Sequence, residues 1–216
     1  MSKPILALNS IRGKSGKDTL IEHIEATGLK VHRVAFADNL KRECAEVLAG
    51  GRSHATSIAL KWMHSADKDV EMPGLAIKLL PGGPYVDWLN KRQNNPFTPR
   101  TPRWHLQQYG TEYIREHLGK SDYWLSKGML DVLNGHADPS VDVVVVTDMR
   151  LPNEYGLLSD IGASRIRIVR NWHIPEVDTV PYHQSDIALM AHRFDALVVN
   201  EWGKPEAMLN QIKEFL

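Results

Sequence analysis

The chain has a single cysteine, Cys44, in 216 residues. That excludes an intrachain disulfide framework and a multi-cysteine zinc site, and Cys44 is expected to pack within a helix rather than act as a nucleophile. Excess charge of either sign is missing too, because 26 Lys and Arg balance 26 Asp and Glu. Nothing therefore attracts the chain as a whole to nucleic acid or to a membrane surface, and any anion site has to be built locally. No apolar run approaches the ~18 residues of a membrane span, and the first residues show no secretory cleavage pattern. Repeats and low-complexity tracts are also lacking. These absences predict a soluble intracellular protein, and the length suffices for one α/β domain, with or without an insertion, around a sizeable core.

What is present is concentrated in Pro4 to Ile24. Ile5 to Leu8 read as a short buried strand, and Leu20, Ile21 and Ile24 recur at helical spacing. Between them lie Gly13, Lys14, Ser15, Gly16, Lys17, Asp18 and Thr19. Glycines here permit backbone shapes that a side chain forbids. A loop running into a helix can aim successive N–H groups at a phosphate, and Lys17 adds a cation. The usual phosphate-loop pattern has a Gly, four residues, Gly-Lys and then Ser or Thr. Gly16-Lys17 fits it, but Ile11 occupies the first glycine position and Asp18 the hydroxyl position, with Thr19 one residue later. A glycine-rich surface turn beside a solvated lysine is the plainer alternative.

Further along, Gly28 stops the first helix and Val31 to Phe36 read as a second strand. Asp38 is expected to cap a helix ending at Gly50-Gly51, with Leu40, Cys44, Val47 and Leu48 on one face. Residues 52–100 break this rhythm with a cluster of prolines and glycines, and they read as an insertion or substrate-covering region with short helices near Ser57 to His64 and Tyr85 to Leu89. Pro102 to Leu118 has helical spacing, placing Arg103, Gln107 and Gly110 along one face that either holds a substrate or leaves Arg103 and Gln107 exposed while the glycine allows close helix packing. Another helix follows Asp122-Tyr123-Trp124.

Val141 to Thr147 is the most distinct strand, β-branched and nearly continuous, as expected where both faces are covered. It delivers Asp148 and Arg150 to its carboxyl end, the edge where ligands bind in open α/β sheets. Asp148 there can hold Mg2+ or simply cap a turn, and Arg150 can neutralise phosphate oxygens or pair with Glu154. Strands are also read at Arg165 to Arg170 and Phe194 to Asn200, with Arg165 and Arg167 solvated and Arg170 reaching the phosphates. The histidines His173, His183 and His192 read as surface residues, and a helix over Lys204 to Leu216 closes the chain.

Several segments in this order resemble the deoxynucleoside monophosphate kinase family of bacteriophages and related P-loop kinases. They are Ser15 to Thr19 (SGKDT), Ala35 to Lys41 (AFADNLK), Arg103 to Gly110 (R-x-x-x-Q-x-x-G), Asp122 to Trp124 (DYW), Thr147 to Glu154 (TDMRLPNE) and His183 to Asp186 (HQSD). The resemblance spans nearly the whole chain outside 52–100. It implies a three-layer α/β P-loop kinase fold with a five-stranded parallel sheet and a helical substrate-covering insertion, all within one domain, 1–216. The activity it implies is transfer of the ATP γ-phosphoryl group to a deoxynucleoside monophosphate with Mg2+, in the cytoplasm, or the host's cytoplasm if the source is viral. Family members also suggest a homodimer.

By the same resemblance, Lys17 and the loop amides hold the ATP phosphates, and Arg150 and Arg103, with Arg170, surround the acceptor and transferring groups. Asp18 stands where ordinary loops carry the metal-binding hydroxyl, so Thr19 or a water takes that contact and Asp148 organises Mg2+. Glu154 orients Arg150, while Gln107, Gly110 and Trp124 line the acceptor nucleotide. Asp186 stands where similar kinases often carry Glu. A kinase resembling dephospho-coenzyme A kinase, and a regulatory module that holds ATP without transferring phosphate, are the alternatives.

Overall fold

The computed structural model describes residues 3–92, 94–179, 181–182 and 184–216. Five strands, β1 (Ile5–Asn9), β2 (Val31–Val34), β3 (Val143–Val146), β4 (Ser164–Arg170) and β5 (Ala196–Asn200), form one all-parallel sheet in the order β2-β3-β1-β4-β5. Residues of β1 and β3 are buried throughout, as the continuous apolar runs predict. The register pairs Ile5 with Val144, Val34 with Val146 and Leu8 with Ile166. Because β1 has β3 on one side and β4 on the other, the strand order reverses beside it. Such a reversal opens a crevice at the carboxyl edge, where the loops after β1 and β3 emerge together. Asn9 ties them by donating its side-chain N–H to Met149 O at 2.9 Å.

Helices flank the sheet. Helix α1 (Lys17–Ala26) buries Leu20, Ile21 and Ile24 on Leu6, Leu8, Ile166 and Val198, where the chain end adds Met208 and Ile212. Met1–Phe36 and Lys127–Leu216 make up this compact unit.

A second compact unit runs from Ala37 to Ser126, so it contains the proline-rich 52–100 stretch and extends beyond both its ends. It comprises most of α2 (Phe36–Ala49), then α3 (Ser53–His64), α4 (Pro84–Arg92), α5 (Pro102–Gln107), a π-helix over Gln108–His117 and the start of α6 (Tyr123–Ala137). Its core is aromatic. Tyr85 is 2% exposed and meets Tyr109 edge-on at 5.1 Å, with Trp88, Tyr113 and Trp124 in the same cluster. Cys44 is fully buried there, and burial pushes its thiol pKa far up, which makes it an inert packing residue.

Three local expectations are corrected. Asp38 is not the cap of α2: the helix starts at Phe36, Asp38 lies in its first turn paired with Lys41 at 2.8 Å, and the Phe36 N–H is capped by Asp148 Oδ1 at 2.9 Å. A tertiary acceptor thus takes the place of a local one. The 204–216 segment is not one helix but a single turn at Ala207–Asn210 and a 3-10 turn at Lys213–Phe215. Arg165 and Arg167 are not solvated strand ends. Arg165 pairs with Asp195 at 2.8 Å, and Arg167 donates to Asn9 Oδ1 at 3.1 Å and to Leu189 O at 2.7 Å.

Candidate functional site

The loop after β1 turns into α1 through residues with unusual backbone. Lys14 has φ 56° without being glycine, and Gly16 has φ 98°. A non-glycine residue in the left-handed region costs free energy and marks places where local shape serves something else. At Gly16 two constraints coincide, since an added Cβ would also lie 2.3 Å from Asn200 Nδ2. Lys17 is the first residue of α1, and its ammonium donates to Ser10 Oγ at 2.5 Å. Burial and the nearby Arg150 guanidinium lower the Lys17 pKa, while Asp18, Asp148 and Asp186 oppose the shift. An anion beside Lys17 would restore the charge balance that burial disfavours.

Lys17 faces a cavity of about 240 Å³, also lined by Ser10, Arg12, Gly13, Arg150 and Asp186. A larger one of about 480 Å³ shares Arg12 with it and is lined by Ser15, Arg170, Trp172, Asp178 and Tyr182. The arginines at these cavities are answered by carboxylates. Arg170 forks onto both oxygens of Asp178 at 2.8 and 2.6 Å, and Arg12 donates to the backbone oxygens of Val177 and Asp178 at 3.2 and 3.3 Å. The Arg170 fork and the Ile174 N–H hold the Asp178 carboxyl far below the usual carboxylate range. Arg12 also lies over the Tyr182 ring at 3.6 Å, and Arg150 pairs with Asp186 at 3.4 Å. Planar forks that bind carboxylate oxygens suit phosphate oxygens equally.

The structure gathers Gly13, Lys14, Ser15, Gly16, Lys17, Asp18 and Thr19 in one loop and helix start, with Arg150 on the Lys17 cavity and the Asp148 charge acting on Lys17. Asp18 is exposed and Thr19 half-buried in the first turn. Glu154 serves Arg150 differently from the expected guanidinium pairing. It is 8% exposed and accepts the backbone N–H groups of Arg150 and Leu151 at 2.7 and 3.0 Å, fixing the turn that carries Arg150. Arg170 is occupied by Asp178 rather than open to a phosphate.

Arg103, Gln107, Gly110 and Trp124 belong to the helical unit. Arg103 is half exposed in an ion pair with Asp69, and Gln107 is exposed. Gly110 does not share their face. The helix widens to π geometry at Gln108 and turns Gly110 inward, where an added Cβ would meet Leu40 at 2.8 Å. Trp124 is 3% exposed and donates its indole N–H to Gly110 O at 3.0 Å, which makes it core rather than a stacking platform. Of the His183 to Asp186 segment, His183 lies outside the described residues.

Sequence reasoning missed Ser10, Arg12, Asp178 and Asn200. Ser10 and Arg12 stand between the strand and Gly13, and Asn200 ends the last strand; position at a strand's carboxyl end was the available signal. Asp178 had none, because its partners Arg170 and Arg12 meet it only through tertiary structure.

Among the described residues no group of three or more His, Cys, Asp or Glu is arranged to hold a metal ion, and no helix is long and apolar enough to cross a membrane. No protein-family model matches the chain, and a search of curated protein sequences finds no match either.

Proposed function

We propose that residues 10–19 form a phosphate-binding P-loop and that the chain is a deoxynucleoside monophosphate kinase, transferring the γ-phosphoryl group of ATP to a deoxynucleoside monophosphate. The observation that carries the reading is Lys17: a partly buried ammonium at the first turn of α1, in a cavity shared with Arg12 and Arg150 at the carboxyl edge of a parallel sheet. Phosphoryl transfer asks a protein mainly for in-line positioning and for charge stabilisation on the moving group. Lys17 and the loop N–H groups hold the donor phosphates in this reading, and Arg150 sets positive charge on the transferring group. Glu154 fixes the Arg150 backbone, so the guanidinium starts from a defined position.

Among the described residues, the Asp18, Asp148 and Asp186 carboxylates and the Ser10 hydroxyl supply oxygen donors around Lys17, a set that suits Mg2+. Asp148 and Thr19 are the residues to hold it, and when bound the ion neutralises charge on phosphate oxygens. Such an ion takes most of its ligands from phosphate and water, so a three-residue protein cluster is not required. Arg103 remains the acceptor-side cation of the proposal, with Gln107 beside it.

The test is ADP formation from ATP and Mg2+ with dAMP, dGMP, dCMP or dTMP as acceptor, compared with ribonucleotides, dephospho-coenzyme A and no acceptor. Turnover that needs a deoxynucleotide is the expected result. Turnover with dephospho-coenzyme A alone would reassign the acceptor, and ATP binding without acceptor-dependent turnover would make the chain a regulatory ATP-binding module.

A further inference from the structure

Asn200, the last residue of β5, is 5% exposed and donates its side-chain N–H to Ser15 O at 3.1 Å, across 185 residues of sequence. Its other side-chain atom, Oδ1, is buried and has no hydrogen-bond partner among the described residues. Buried amides ordinarily satisfy both ends, and leaving one unmet is costly. This one spends its buried position on a single bond, and that bond is to the loop.

The bond matters because of where the Ser15 carbonyl sits. Ser15 C=O and Gly16 N–H belong to one peptide unit, which is planar and trans, so the two groups point in opposite directions. Holding the carbonyl on Asn200 therefore turns the Gly16 N–H away from β5. The fit is mutual: at Gly16 an added Cβ would come within 2.3 Å of Asn200 Nδ2, so glycine is what lets the amide reach its carbonyl. Ser15, whose Oγ is buried and also has no hydrogen-bond partner among the described residues, lines the cavity of about 480 Å³ alongside.

We infer that Asn200 is a positioning residue for the anion loop, clamping the Ser15 carbonyl so that the Gly16 N–H is aimed to receive a phosphate oxygen. This deepens the P-loop reading and rests on it. Asn200 touches no phosphate in this account; it acts through one peptide plane. Preorganised backbone donors gain their value from being fixed before the ligand arrives.

The experiment compares wild type with Asn200→Asp, which keeps the shape but cannot donate when ionised, and with Asn200→Ala. Binding of ATP with Mg2+ is measured by calorimetry, and the Gly16 amide is followed by NMR shift and hydrogen exchange without nucleotide. The expected result is affinity lowered about 10- to 100-fold, with a displaced and faster-exchanging Gly16 amide in a protein that still melts cooperatively. Wild-type affinity in either folded variant overturns the clamp and leaves the P-loop reading intact. Failure of wild type to bind ATP overturns that reading instead, and an unchanged Gly16 amide in the variants then overturns the clamp separately. If Asn200→Asp does not fold, Asn200→Ala decides on the same measurements.

Discussion

The two compact units treat their polar groups in opposite ways. Around the loop of the sheet unit, arginines are held in ion pairs with carboxylates, Arg170 on Asp178 and Arg150 on Asp186. In the helical unit the most buried ionisable base is kept neutral. His105 is fully buried, Nε2 lies 2.9 Å from Leu75 O and Nδ1 lies 3.1 Å from the Tyr85 hydroxyl. A carbonyl only accepts, so Nε2 carries the proton and Nδ1 accepts from Tyr85. In the proposed reading, one unit keeps ion pairs that an incoming phosphate would have to displace, whereas the other has fixed, uncharged hydrogen bonds inside aromatic packing. Exchangeable charge suits a binding edge, and fixed neutral bonds suit a scaffold.

The comparison breaks most visibly at Tyr85. Tyr85→Ala removes the ring at the centre of the aromatic cluster and the donor to His105, and a loss of about 3–5 kcal/mol is expected in urea unfolding. If the helical unit were not held by this cluster, the loss would stay near that of a surface substitution. Next in size is Lys17→Ala, expected to lower turnover about 100- to 1,000-fold while leaving stability intact, since burial already disfavours the Lys17 charge. A variant that lost stability instead would place Lys17 with the scaffold residues.

Acid sharpens the contrast. Burial lowers the His105 pKa from 6.5 to about 4. Between those values the unfolded chain takes up a proton that the folded chain refuses. Stability is therefore full above pH 6.5 and falls as the pH drops toward 4, by about 3 kcal/mol. Asp178 responds in the same direction but at lower pH: with its folded pKa far below the ordinary 3.8, its contribution is complete above that value and is lost only as the pH falls further. Hydrogen exchange between pH 7 and 4.5 should show the helical unit loosening first. Equal protection in both units across that range would refute the assignment.

Strands were legible because burial on two faces leaves an unbroken apolar signature, as in Val143–Val146. The turn into α1 was legible because Gly16 takes the left-handed backbone there and the apolar helical spacing begins just after it. The helical unit was not, because Tyr85, Tyr109 and Trp124 are drawn together from separate segments, and the turns between them follow no period. The change of helix type at Gln108 has no sequence marker either, so Gly110 was placed on the wrong face. Asp178 and Asn200 escaped for the same reason, since each acquires its role from a partner distant in the chain or in another element.

The smallest expected stability effect is the most discriminating. Arg103 and Asp69 form an ion pair in which both side chains are about half exposed, and such pairs contribute at most about 1 kcal/mol. Arg103→Ala should therefore leave the unfolding midpoint nearly unchanged, and so should Asp69→Asn. Their consequences for turnover differ. If Arg103 serves the acceptor phosphate, Arg103→Ala raises the KM for the deoxynucleotide strongly, whereas Asp69→Asn releases the guanidinium and leaves KM equal or lower. Should both substitutions leave KM where it was, Arg103 is a solvated surface residue, and the acceptor's phosphate must be met by arginines of the sheet unit alone.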